Sequence, residues 1–213
     1  ALNSDLASVL RDPIAAVQGG ATDPVLVLNG GGRSFCAVCD RVAMHAHRED
    51  LPVFIERTIS LFHACVQALQ RLPMPVIACA HGALTSGGLS LATACDFVVA
   101  VRSARFMVAY PNLGAPADRE LSFFMVRRFG SARGLEALTT GGQLTTEPAL
   151  QLGLVNRMAD DADLQRVTDE WGAGSLALAL QSLRELKDWS RPSRPARWRH
   201  ALTARRRPFC VAR

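Results

Sequence analysis

A chain of 213 residues with 49% hydrophobic content and a mean hydropathy of +0.12 carries enough apolar surface for one sizeable core, which excludes disorder as its overall state. The formal charge of +5 is concentrated at one end: Arg191, Arg194, Arg197, Arg199, Arg205, Arg206, Arg207 and Arg213 follow the last acid, Asp188, and the chain before them is net acidic. The basic balance therefore describes a tail rather than a nucleic-acid-binding body. Residues 24–29 are an apolar, β-branched run halted by Gly30, Gly31 and Gly32, which predicts a buried strand entering a tight turn.

Residues 53–72 place Val53, Ile55, Ile59, Phe62, Val66, Leu69 and Leu72 near helical spacing, with Asp50 as N-cap and Pro52 in the first turn. A second apolar strand over 75–80 stops at His81 and Gly82, and strand, long helix, strand implies a right-handed crossover with parallel pairing. A short helix from Gly87 or Gly88 to about Cys95 follows, then strands over 97–101 and 105–109 and helices over 119–129, 131–140 and 146–152. A strand near 154–157 and helices near 162–172 and 175–188 complete an α/β layered or spiral pattern. No apolar run approaches the ~20 residues of a membrane span, and the start lacks a basic-then-apolar leader, so the expectation is a soluble, cytoplasmic protein. The six cysteines sit mostly within apolar patterns and read as reduced, buried thiols.

The segment from Pro75 to Asp96 is the most informative. A strand leads through a small-residue loop into a helix that opens on Gly87 and Gly88, so unpaired backbone N–H groups and the helix dipole favour an anion above the helix start. The same glycines equally suit close helix–strand packing with no ligand at all.

This segment resembles the crotonase (enoyl-CoA hydratase/isomerase) superfamily. The resemblance continues through Asp96–Phe106, Leu113–Asp118, Arg127–Gly130, Glu136–Gly141, and Ala149 with Gly153–Asn156, and upstream through Gly32–Asp40, where Gly-Arg-Ser-Phe-Cys-Ala is similar to the family's loop. It implies a spiral of ββα turns with C-terminal helices, in which residues 1–160 form the spiral core, 161–188 a helical region and 189–213 an Arg-rich tail. It also implies a homotrimer or hexamer, and an acyl-CoA thioester as substrate with no separate cofactor and no metal. The thioester carbonyl would lie between the backbone N–H groups of Ala37 and Gly87. Arg33, Cys36, Val38, Cys39, Asp40, Leu84, Gly88 and Ser90 become candidate substrate-binding residues, with Arg33 toward phosphate and Val38 standing where the family usually has Gly.

The acid–base groups depart from the family pattern. A hydratase of this type places glutamates at positions that fall here on Ser90 and Tyr110, and neither a serine nor a phenol replaces a carboxylate at neutral pH. Asp118 aligns with the acid that some isomerases use as base and the dehalogenase branch as nucleophile, with Glu120 as the alternative and Tyr110 as a hydroxyl beside the acyl pocket. Asp118 is equally well read as the N-cap of the helix over 119–129. The expected chemistry is therefore isomerase-like, by way of a thioester enolate. The alternative is a non-catalytic member of the same fold that binds acyl-CoA or an acyl carrier protein. Two further readings of residue type are weaker: zinc held by Cys36, Cys39, His45 and His47, whose spacing matches no common module, and a serine hydrolase using Ser86 or Ser90 with His81, which lacks the Gly-Xaa-Ser-Xaa-Gly elbow.

Overall fold

The computed structural model describes residues 25–37 and 40–176, together with 182, 183 and 185–187. Two sheets organise them. The first is parallel, in the order β1 (Leu26–Asn29), β2 (Val76–Ala80), β4 (Phe97–Val101) and β7 (Arg157–Ala159). The second contains β3 (Ala83–Thr85), β5 (Arg105–Val108) and β6 (Gly142–Thr145), with β3 and β5 parallel and β6 antiparallel. Cys36 makes an isolated parallel bridge to Leu84 and extends the second sheet by one more rung.

The helices are α1 (Arg41–Ala46), α2 (Leu51–Arg71), α3 (Gly87–Ala94), α4 (Arg119–Phe129), α5 (Ser131–Thr140), α6 (Thr146–Gln151) and α7 (Leu164–Trp171). Three successive passes therefore add one strand to the first sheet, then an extended segment to the second, then helix: β1, Cys36 and α2; β2, β3 and α3; β4, β5 and α4–α5. This is the expected ββα spiral.

Parallel strands buried on both faces need continuous apolar sequence, and Val76–Ala80 is buried at every residue. Alternation divides these side chains. Val76, Ala78, Ala80, Val98 and Ala100 face the main core with Leu69, Leu84, Phe106 and Leu121, while Ile77 and Val99 face α7 through Val167 and Trp171.

Several sequence expectations shift. Val53 is 66% exposed, so the buried stripe of α2 begins later, at Phe62, and runs through Cys65, Val66 and Leu69. The strand expected near 154–157 starts at Arg157, because the amides of Leu154 and Val155 turn back to the Ala149 carbonyl at 2.9 and 3.1 Å. Strands β3 and β6 and helix α1 were not expected; each is short and built largely of small or polar residues. Asp50 is the N-cap of α2 by position but makes no side-chain cap, its carboxylate instead meeting His47 Nδ1 at 3.1 Å. Of the helix expected over 175–188, residues 182–183 and 185–187 are helical, and Gly172–Leu176 form a π-helical turn. The tail expected over 189–213 lies outside the described residues, as does the start of the expected core.

Asp96, between α3 and β4, ties three parts of the chain together. Its Oδ2 accepts from Val76 N at 2.8 Å and from Lys187 Nζ at 2.5 Å, and the same ammonium donates to Met74 O at 2.7 Å. Both side chains are largely buried. Removing one partner strands the other charge in the interior. Asp96→Ala is expected to cost about 3–5 kcal/mol in urea unfolding; a loss below about 1 kcal/mol, the range of a surface pair, would show that this tie contributes little.

Candidate active site

Helix α3 is buried along its whole length, so both of its ends must be satisfied from within the molecule. At the C-terminal end Arg128 donates to Thr93 O at 3.1 Å and Cys95 O at 2.7 Å, and Gln70 donates to Ala94 O. Arg128 thereby places a cation on the negative end of the helix dipole. At the N-terminal end Ser86 supplies no side-chain cap, and Gly87 is the first helical residue, with an amide that has no intrahelical acceptor.

Ser86 is the one non-glycine with positive φ among the described residues, at φ 49° and ψ −107°. Surrounding bonds hold that conformation: its N–H donates to Met107 O at 3.0 Å, and its carbonyl accepts from Ser90 N at 2.8 Å. The turn aims the start of α3 at the loop carrying Cys36 and Ala37. That loop is stitched to β3 and the turn before it, with Thr85 N donating to Cys36 O at 3.1 Å and Phe35 N to His81 O at 2.8 Å. A Cβ at residue 88 would overlap the Cys36 carbonyl oxygen and lie 2.7 Å from Cys36 Cβ. Gly88 thus serves close packing, and Gly87 precedes that contact as the first residue of the helix.

Of the two roles that the sequence leaves open, Asp118 fills the capping one, and its second oxygen meets two hydroxyls. Its Oδ1 accepts from Leu121 N at 2.7 Å and caps α4. Its Oδ2 accepts from Ser90 Oγ at 2.7 Å and Tyr110 Oη at 2.5 Å. The two positions where a hydratase of the resembling family carries glutamates here hold hydroxyls directed at one carboxylate. Burial pushes the Asp118 carboxyl above its ordinary value, against hydrogen bonds from Tyr110, the Leu121 amide and Ser90 that lower it; the Glu120 charge adds to the rise.

Glu120 turns elsewhere. It is 7% exposed, and its Oε2 lies 2.7 Å from His63 Nε2 on α2. His63 was not anticipated; its only signal was an ionisable residue beside the apolar stripe of α2, answered by a glutamate inside the apolar stripe of α4.

The remaining candidates are distributed differently. Leu84 is fully buried in the core, so it meets the loop through its backbone pairing with Cys36. Asp40 caps α1 by accepting from Ala43 N at 3.0 Å, and Arg33 is exposed. Val38 and Cys39 lie outside the described residues. Of the zinc candidates Cys36 is buried, and His47 stacks on Phe54 at 4.4 Å besides meeting Asp50. Among the described residues no group of three or more His, Cys, Asp or Glu side chains is arranged to hold a metal ion, and no helix is long and apolar enough to cross a membrane.

The family model for enoyl-CoA hydratase/isomerase matches residues 1–207. The chain belongs to the enoyl-CoA hydratase/isomerase family. It is 35% identical over 165 residues to a probable enoyl-CoA hydratase of Mycobacterium tuberculosis, covering 75% of this chain and 58% of that protein. It is 32% identical over 166 residues to the 1,2-epoxyphenylacetyl-CoA isomerase of Escherichia coli, covering 76% of this chain and 62% of that one. The crystal structure of an enoyl-CoA hydratase from Polaromonas superposes with a TM-score of 0.75 at 31% identity, over 84% of this chain and 71% of the other. The chain therefore spans about three fifths of the length of these two curated relatives.

Within this enoyl-CoA hydratase/isomerase fold the Gly88 contact sets the distance between loop and helix. Gly88→Ala is expected to lose about 1–3 kcal/mol of stability, the usual range for overpacking. Gly31→Ala, where an added Cβ meets nothing within 4 Å, is expected to stay within about 0.5 kcal/mol. Urea unfolding of the two variants side by side checks the contrast, and equal values would remove the close-packing role.

Proposed function

We propose that the protein processes acyl-CoA thioesters by enolate chemistry of the isomerase type. The backbone amides of Ala37 and Gly87 hold the thioester oxygen, and Asp118 moves the proton. On a 3-enoyl thioester the carboxylate takes a proton from the α-carbon. The electron pair left behind spreads over the thioester oxygen and the γ-carbon, and the carboxyl, whose proton exchanges with solvent, then protonates the γ-carbon to give the 2-enoyl isomer. No water is added and no external acid is required. Two amides directed at the developing oxyanion are worth a few kcal/mol each in a water-excluded site.

The observation that carries this reading is the carboxylate of Asp118, held by Ser90 and Tyr110 at the two positions where the resembling hydratases place glutamates. Hydration needs one group to activate water and another to protonate carbon, whereas isomerisation needs a single carboxylate that takes and returns a proton. A carboxyl raised by burial is closer in basicity to neutral pH and so better matched to that task. The isomerase among the relatives supports the same direction. Assembly as a homotrimer or hexamer, a cytoplasmic location, and contacts from Arg33 to the phosphates of coenzyme A belong to the same proposal and rest on the resemblance.

Asp118→Asn separates catalysis from capping, since an amide oxygen still accepts the Leu121 N–H. Incubated with 3-hexenoyl-CoA in deuterated water, the variant is expected to lose at least about 100-fold in deuterium incorporation and double-bond migration by mass spectrometry, the usual contribution of a general base. Exchange at the wild-type rate overturns the assignment. Binding of CoA esters with no turnover by either protein points instead to an acyl-CoA or carrier-protein binding role.

The linkage has a definite sign. A carboxyl whose folded pKa lies above its unfolded value binds its proton more tightly in the folded chain. The folded state therefore loses stability as pH rises from the ordinary Asp value through the raised one. Asp118→Asn is expected to flatten that loss in thermal unfolding scans across mildly acidic pH; an unchanged slope would show that Asp118 does not carry it.

A further inference from the structure

The arrangement around Asp118 fixes which of its oxygens is available, and this deepens the proton-transfer reading above, on which it rests. An ionised carboxylate offers about four acceptor sites, two on each oxygen. Oδ2 takes two hydroxyl donors, from Ser90 at 2.7 Å and Tyr110 at 2.5 Å, and Oδ1 takes one amide donor, from Leu121 at 2.7 Å. One acceptor site is left, and it is on Oδ1.

We propose that Ser90 and Tyr110 are positioning residues that engage Oδ2 and leave Oδ1 of Asp118 as the atom that exchanges the substrate proton. Both hydroxyls come from elements that also shape the oxyanion side. Ser90 is fully buried in α3, and its hydroxyl lies within reach of two acceptors, Ser86 O at 3.2 Å and Asp118 Oδ2 at 2.7 Å. A single proton favours the shorter, charge-assisted bond. The strained Ser86 turn that presents Gly87 is therefore linked through one serine to the carboxylate. Tyr110 immediately precedes the 3₁₀ turn Pro111–Leu113, which leads to Asp118, so the phenol fixes the carboxylate from its own loop. Base and oxyanion amide are held in mutual register by hydroxyls that never need to touch substrate.

The test uses Ser90→Ala and Tyr110→Phe, each removing one hydroxyl and little volume, in the full chain. The Asp118 carboxyl is titrated by carbon NMR in protein labelled at aspartate and assigned by difference against Asp118→Asn. The pH profile of deuterium exchange into 3-hexenoyl-CoA is measured in parallel. Losing a donor to a charged acceptor is expected to move the carboxyl titration, and the acid limb of the exchange profile with it, upward by about one pH unit in each variant. The expected kinetic signature is a fall in kcat of about 10-fold with KM unchanged, the mark of a group acting on the transition state rather than on binding. Titrations and profiles that stay at the wild-type position in both variants overturn the inference, whatever happens to kcat. An upward shift of the carboxyl titration in a protein that exchanges no deuterium even as wild type overturns the proton-transfer reading instead. The two failures are thus told apart by whether the NMR titration moves.

Discussion

The constraint on which the site depends is a contact between two backbones. The Cys36 carbonyl occupies the space that a side chain at residue 88 would need, and only glycine allows the loop and the start of α3 to come that close. Everything near the reaction is measured from this point. The Ala37 amide follows Cys36, the Gly87 amide precedes Gly88, and Ser90 lies half a turn further along the same helix.

The second organising choice is electrostatic. Among the described residues the buried charged side chains each meet a polar partner. Asp96 gathers a backbone amide and the Lys187 ammonium, Arg128 closes the C-terminal end of α3, Glu120 meets His63, and Asp118 takes three donors. Lys187 answers the charge of Asp96, and Arg128 answers the helix dipole. Asp118 is answered only by neutral donors, and burial raises its carboxyl above the ordinary value.

Much of this was legible in the sequence, for reasons that can be named. The strands at Leu26–Asn29, Val76–Ala80 and Phe97–Val101 are nearly uniform apolar runs, as burial on both faces demands, and α2 has a strong helical period. Strand β3 escaped notice because Ala-Leu-Thr between two glycine-containing turns carries no pattern that separates strand from loop. The strand near residue 157 slipped because Leu154 and Val155 are apolar for the core, but their amides belong to the turn after α6. In the site, residue types identified Asp118, Ser90 and Tyr110 separately. Their convergence was not legible, because it depends on how α3, the Tyr110 loop and α4 meet. For the same reason the sequence could offer Asp118 as a cap but not show that its second oxygen gathers two hydroxyls.

The stacked passes of strand, strand and helix make the molecule a short coil in which most contacts join one pass to the next. In a purely nearest-neighbour stack stability is a sum over interfaces, and an end can unwind without consulting the middle. Asp96 breaks that rule. By tying the start of β2 to the C-terminal segment through Lys187, it makes loosening of the last pass felt at the strand where the second pass begins. The coil is fastened like a strap, a C-terminal segment buckled back onto an inner strand.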